Sequence, residues 1–374
     1  MITATQVATQ RLISQQLVNA SCPSAARVVQ WMGAMQAQDY DMARWAIGIR
    51  LPGSTETLVE DALDRGDILR THLLRPTWHF VAATDIHWLL ALTAPQVKKC
   101  MTSMNRKLEL DERVFRKSNA VIEKALEGHT YLTREELMTR LQEVGIQTDG
   151  IRSAHIMMNA ELDGVVCNGP RREYDRRGYD RREYDRRAKQ FTYALLPERV
   201  PIRQSLSREE ALAELARRYF TSHGPATLKD FAWWSGLNAT DVKQAIEGAK
   251  PYLHSMPADT QTYWLGATFA GPESVSEQIH FLPAFDEFMV SYCDRTASLQ
   301  PEFARQTNTG NGIFYPIIVV NGQVVGVWKR TVKPKELAMA LTFFYPLPDD
   351  LTERIREKAN LYATYTQCKQ FVIT

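Results

Sequence analysis

The strongest constraint on the fold is a pattern that recurs three times along 374 residues: short amphipathic helices joined by tight turns, then two strand-length segments. The clearest copy spans about 207–266. Leu212, Leu215, Ala216, Tyr219 and Phe220 fall at the i, i+3, i+4, i+7, i+8 spacing of a helix buried on one face. His223-Gly224-Pro225 ends that helix. Thr227 and Asp230 then form a capping box, in which hydroxyl and carboxylate serve orphan backbone N–H groups. A short helix runs through Trp234 to Gly236, Thr240 and Asp241 open a third, and Thr262–Leu265 supplies a hairpin strand. Three helices and a hairpin make a winged helix-turn-helix, an architecture that suggests duplex DNA as partner.

The same plan is legible twice more. Over about 117–197, Thr133 and Glu136 form a second capping box, and Ile151, His155, Met158 and Leu162 share a helix face. Val165–Cys167 and Phe191–Leu196 are the expected wing strands. Over about 3–82, Ser24 is a candidate N-cap for a helix carrying the stripe Val28, Trp31, Met32, Met35. Ile68–Leu74 and Thr77–Val81 then form a hairpin turned at Arg75-Pro76.

The last hundred residues differ. Phe314–Val320, Asn321-Gly322 and Gln323–Lys329 predict a hairpin, because Asn-Gly suits a type I′ turn. Ile279–Phe281 and Phe288–Tyr292 are further strand candidates, and Leu351, Ile355, Ala359 and Tyr362 suit a terminal amphipathic helix. The expected fold is α+β: three tandem winged units (1–95, 96–200 with an extended wing at 170–190, and 201–272), then a small β-barrel or curved sheet at 273–374.

The net charge of +2 conceals an asymmetry. Residues 171–189 carry nine basic and five acidic side chains, while the rest of the chain carries 36 and 38. Within that segment one pentad repeats three times, at Arg172–Arg176, Arg177–Arg181 and Arg182–Arg186. A period of five fits neither helix nor strand, so the segment reads as low complexity inserted in a wing. Either it is a solvated loop, or Arg172, Arg176, Arg177, Arg181, Arg182, Arg186 and Arg187 lie along phosphates while the tyrosines stack on bases. The alternating carboxylates weaken that attraction.

Five scattered cysteines form no metal-ligand spacing and no disulfide framework, which fits a reducing, cytoplasmic setting. No basic leader precedes an apolar core, and no stretch approaches the roughly 20 apolar residues that span a bilayer. Neither a phosphate-binding glycine loop nor a nucleophile elbow is present, and a cofactor-free monomer without metal or membrane association is expected.

His223-Gly224-Pro225-Ala226-Thr227 followed by Asp230–Leu237 resembles the signature of a bacterial winged-helix DNA-binding family that includes the AlkZ-like interstrand-crosslink DNA glycosylases. Met35–Gln38, Leu74–Phe80, Leu282–Glu287 and Val325–Arg330 match in the same order, so the resemblance runs nearly end to end. It implies three tandem winged helices with a C-terminal β-barrel in a C-shaped molecule that grips duplex DNA. It also implies that Gln36 and Gln38 are the Gln-x-Gln pair of its glycosylase branch; Arg75 and His79, on the first wing, are candidate DNA-facing residues. The 171–187 repeat departs from the family pattern.

The chemistry of two amides sets a limit. Hydrolysis of an ordinary N-glycosidic bond calls for a carboxylate, and an amide is no general base at neutral pH. An N7-alkylated purine already carries positive charge and leaves without protonation, so orienting water and stabilising charge can suffice. The pair therefore predicts cationic lesions as substrates. On a regular helix Gln36 and Gln38 would point about 200° apart, so the helix must end before them. The competing readings are that both are polar flanks of the apolar stripe, or that the chain binds DNA without catalysis, as a regulator or damage-recognition factor. Asp286 and Glu287 could supply a carboxylate but read first as a cap or turn, His72 and His79 read as satisfied or DNA-facing wing residues ahead of catalysts, and Trp233 and Trp234 as packing.

Overall fold

The computed structural model describes residues 2–173, 189–202, 206–258, 261–267, 277–333 and 336–374. The chain divides into two compact units: Met1–Glu60 with Arg208–Thr374, and Asp61–Ser207. The fold is mixed α and β, as expected.

The first unit opens with the helix Ala4–Ser14, started by a capping box between Thr3 and Gln6. The helix Ala25–Met32 follows, with Ser24 as its N-cap, and stops at Gly33, whose φ of 77° a side-chain-bearing residue adopts only under strain. Asp39 caps the next helix, Tyr40–Gly48. After the second unit come Arg208–His223, Leu228–Ser235 and Ala239–Ala249. The expected capping box between Thr227 and Asp230 is present, and Gly236 closes its helix in the left-handed conformation. Leu253–Pro257 then pairs antiparallel with Thr262–Gly266.

The C-terminal region is a five-stranded sheet in the order Ile279–Leu282, Ile317–Val320, Gln323–Val332, Leu337–Phe343, Phe371–Ile373. The expected barrel is thus a half-barrel, an open sheet with Ile279–Leu282 and Phe371–Ile373 at its edges. Its first three pairings are antiparallel and the last is parallel, across the helix Asp349–Thr366. Leu12, Ile13, Leu17 and Val18 share a core with Leu282, Phe288, Ile317, Val319 and Val324, so the chain start is packed into the same core as the sheet. The expected strand Phe288–Tyr292 is instead a helical turn, Glu287–Val290. An unbroken apolar run such as Phe288-Met289-Val290 has no period to separate strand from helix. The carboxylate of Asp286, accepting from the Phe288 N–H at 2.9 Å, decides for the turn.

The second unit carries the hairpin Ile68–Leu73 with Thr77–Ala82 in register Leu69↔Val81 and Thr71↔His79. The helices Ile86–Lys107, Glu112–Leu126, Arg134–Glu143 and Arg152–Leu162 follow. The capping box of Thr133 and Glu136 is present. Val166–Asn168 and Leu132–Thr133 both pair with Thr192–Leu195. Phe115, Ile122, Leu126, Leu137, Leu141, Ile156 and Val166 form this unit's own core. The pentads lie almost wholly outside the described residues, so of their six arginines and the following Arg187 only Arg172 can be placed. No described helix is long and apolar enough to cross a membrane, and no described group of His, Cys, Asp or Glu is placed to hold a metal ion.

Candidate functional site

Gln36 and Gln38 lie beyond the helix that carries the apolar stripe. Ala25–Met32 ends four residues before Gln36, and Met35–Gln36 is extended. The strand stops at Gln36, and Gln38 sits in a bend ahead of the next helix, so neither glutamine lies on a helix. The divergence that a helix would impose on the two glutamines is therefore absent. Gln36 is buried at 9% exposure, Ala37 is fully buried, and Gln38 is exposed.

Beneath Gln36 lies Glu287, at 1% exposure. Its Oε1 accepts the Gln36 backbone N–H at 2.6 Å. Its Oε2 accepts the indole N–H of Trp234 at 3.2 Å and the hydroxyl of Ser291. The Nε2 of fully buried His223 stands 3.6 Å from the same oxygen. Burial alone would raise the carboxyl pKa, but His223, Ser291 and the Gln36 amide hold it down at about 2. Glu287 is thus an ionised carboxylate inside the protein. For His223, burial outweighs the pull of Glu287 and favours the neutral ring. That ring stacks on Tyr219 at 4.9 Å, with its Nδ1 2.8 Å from the Ser222 hydroxyl.

Segments far apart in sequence converge here. Met35–Gln38 supplies the glutamines, His223–Thr227 the imidazole, Asp230–Leu237 the indole of Trp234, and Leu282–Glu287 the carboxylate. All belong to the first unit. A second buried layer braces them. Arg50 and Asp286, both fully buried, pair through two bonds of 2.8 Å, and Arg50 also donates to the backbone oxygen of Gln15 at 3.0 Å and of Ala46 at 2.9 Å. Arg11 lies 3.6 Å from the ring centre of Tyr292 and donates to the Pro225 oxygen at 3.0 Å. Asp230 completes its capping box and also accepts the Cys293 N–H at 2.9 Å. These bonds fix the turn that carries Glu287 and the loop that carries His223.

The other expected site residues fall in the second unit. Arg75 is half-buried at the hairpin turn, between Leu74 with a φ of 58° and Pro76. His79, a DNA-facing candidate by sequence, is instead fully buried, its Nδ1 2.9 Å from the Thr77 oxygen, so it reaches no solvent. His72 is likewise turned inward, 2.5 Å from the buried Glu161 carboxylate. Arg172 is exposed and pairs with Glu136 at 2.9 Å. Arg176, Arg177, Arg181, Arg182, Arg186 and Arg187 lie outside the described residues. Trp233, expected to pack, is 49% exposed, whereas Trp234 is fully buried against Glu287.

Sequence reasoning weighed Glu287 as a candidate carboxylate but set it aside as a cap or turn, whereas it stands at the centre of the site. It reads as a cap because Asp286 beside it is one. The available signal was that Leu282–Glu287 is one of the resembling motifs, and only Asp286 is needed to start the turn.

A curated relative, the interstrand DNA cross-link repair glycosylase of Streptomyces sahachiroi, is 25% identical over 377 residues, covering 95% of this chain and 92% of its own. The solved structure of the DNA glycosylase AlkZ from the same organism superposes with a TM-score of 0.78 at 20% identity, over 100% of this chain and 99% of that one. That likeness shows a shared fold. The model of the AlkZ-like DNA glycosylase family matches residues 29–365, taking in Gln36, His223, Trp234 and Glu287, and the chain belongs to that family.

Proposed function

We propose that the chain is a monofunctional DNA glycosylase that removes N7-alkylated purines from duplex DNA or unhooks the interstrand crosslinks such purines form. The observation that carries this reading is the Gln36–Gln38 segment: it lies outside any helix and is anchored through the Gln36 backbone to a buried anion. In the proposed reaction the C1′–N9 bond breaks and its electron pair goes to the cationic purine, which departs neutral. The positive charge passes to C1′ and O4′ of the sugar. Water held by the glutamine amides adds at C1′ and releases its proton to solvent, leaving an abasic site. No side chain has to protonate the leaving group, which suits a site whose two named groups are uncharged.

The helix-and-hairpin segments are read as three winged helices at 1–95, 96–200 and 201–272, ahead of the C-terminal region 273–374. In this reading Arg75, Arg172 and the further arginines of the repeat contact phosphates, the partner is double-stranded DNA, and the protein acts as a monomer. The cross-link repair activity of the Streptomyces relative supports crosslinks as one substrate class.

The test is release of base from duplex containing N7-methylguanine or a nitrogen-mustard crosslink, scored as alkali-labile strand breaks. Wild type should release the lesion, and Gln36→Ala with Gln38→Ala should reduce the rate by about 100-fold or more while duplex binding persists, as for removal of oriented polar groups. Tight, salt-dependent binding without any release would instead make the chain a DNA-binding protein without catalysis.

A further inference from the structure

We infer that Glu287 is the fixed anion of this site, positioning Gln36 through its backbone and favouring positive charge beside the two glutamines. The inference rests on the reading above, in which those glutamines face the reacting sugar and base.

The arrangement of buried carboxylates in this unit argues for it. Asp286 is neutralised by the two-pronged contact of Arg50, and Asp230 has Arg11 at 3.9 Å. Glu287 has neither. Among the described residues its partners are an amide, an indole, a hydroxyl and an imidazole whose charged form burial disfavours. These dipoles solvate the charge without cancelling it. A side chain needed only to satisfy the Gln36 N–H could be a neutral amide, and burying a carboxylate instead is costly unless the charge has a use. The bond of 2.6 Å puts that charge one peptide unit from the Gln36 side chain. Because Glu287 is 1% exposed, salt screens it far less than a surface group.

In the proposed reaction the positive charge is on the purine before bond cleavage and on the sugar during it. A fixed anion serves both stages, selecting cationic lesions and then stabilising the cationic sugar. Glu287 is a positioning residue in this scheme, since it reaches the substrate only through Gln36 and through its field.

The experiment compares wild type and Glu287→Gln for binding of two duplexes. One carries a cationic pyrrolidine abasic-site analogue, the other a neutral tetrahydrofuran analogue of the same shape. Wild type should prefer the cationic duplex by about 30-fold, the effect of one charge about 8 Å away at an effective dielectric near 20. Added salt should weaken both affinities in parallel and leave their ratio intact. Glu287→Gln should bring the ratio below about threefold and change tetrahydrofuran affinity by less than about twofold. A merely structural loss would weaken both duplexes alike. A full preference retained in Glu287→Gln, an absent preference in wild type, or a ratio that collapses with salt overturns the inference. The last two are read on wild type, so they decide the matter even where the variant fails to fold. Base release by wild type is measured in parallel. A charge preference that depends on Glu287 without any base release sinks the glycosylase reading and leaves the anion assigned.

Discussion

His280 and Glu287 carry opposite lessons about burying an ionisable group. Glu287 remains charged because donors surround it. His280, 8% exposed, has no hydrogen-bond partner for its Nε2 among the described residues. Burial, with Arg50 and Lys358 nearby, lowers its pKa from an ordinary 6.5 to about 4. The folded state therefore takes up this proton at lower pH than the unfolded chain does. Its contribution to stability is complete above about 6.5 and is lost as pH falls toward 4, on the order of 3 kcal/mol. Glu287, also depressed, adds a second loss between about 4.5 and 2. Chemical denaturation at pH 7 and pH 4 should show the first loss in wild type together with that of His223, and His280→Phe should remove the His280 share. An unchanged pH dependence in that variant would refute the assignment. At this scale the sequence discloses little. The family motif points to Gln36 and Gln38, but the partners of Glu287 come from residues 36, 223, 234 and 291, and no window of sequence contains them.

Elements are more legible, because caps and turns are local chemistry. Ser24, Thr133 and Thr227 cap the helices their spacing indicates, and the Asn321-Gly322 turn joins the strands it was expected to join. Both turn residues take left-handed dihedrals, with φ of 50° and 81°, as a type I′ turn requires. Gly322 has a second reason to lack a side chain: an added Cβ would stand 2.9 Å from the Cβ of Ala8 and 3.0 Å from its carbonyl carbon. Gly322→Ala should therefore cost more than the ~1 kcal/mol of an open left-handed site, read as a lowered denaturant midpoint at constant slope. Gly310→Ala, where an added Cβ meets nothing within 4 Å, is the control and should cost less. The parallel strand Phe371–Ile373 is not foreseeable, since three residues after a helix have too little pattern to signal pairing. Phe288–Tyr292 misleads for the related reason that a wholly buried run shows no period.

Across the whole molecule, charge is distributed by segment. Outside 171–189 the chain has a slight acidic excess, so any nucleic-acid affinity has to come from local placement of arginine and lysine. Residues 174–188 contain six arginines and four carboxylates. If these charges act together on phosphates, deleting the segment should flatten the plot of log affinity against log salt by about two units. A slope that does not move would mean the insert lies clear of DNA. A change near five would mean its arginines act free of their acidic neighbours. The two-unit division has no sequence signature, because nothing local reports that the chain leaves a core near Glu60 and re-enters it at Arg208. That detour has a consequence in time. The partner of the Gln36 amide lies 251 positions downstream, and ribosomes add roughly 5–20 residues each second. The early helices must thus wait about ten to fifty seconds for their companions, while the intervening stretch has everything it needs to condense first.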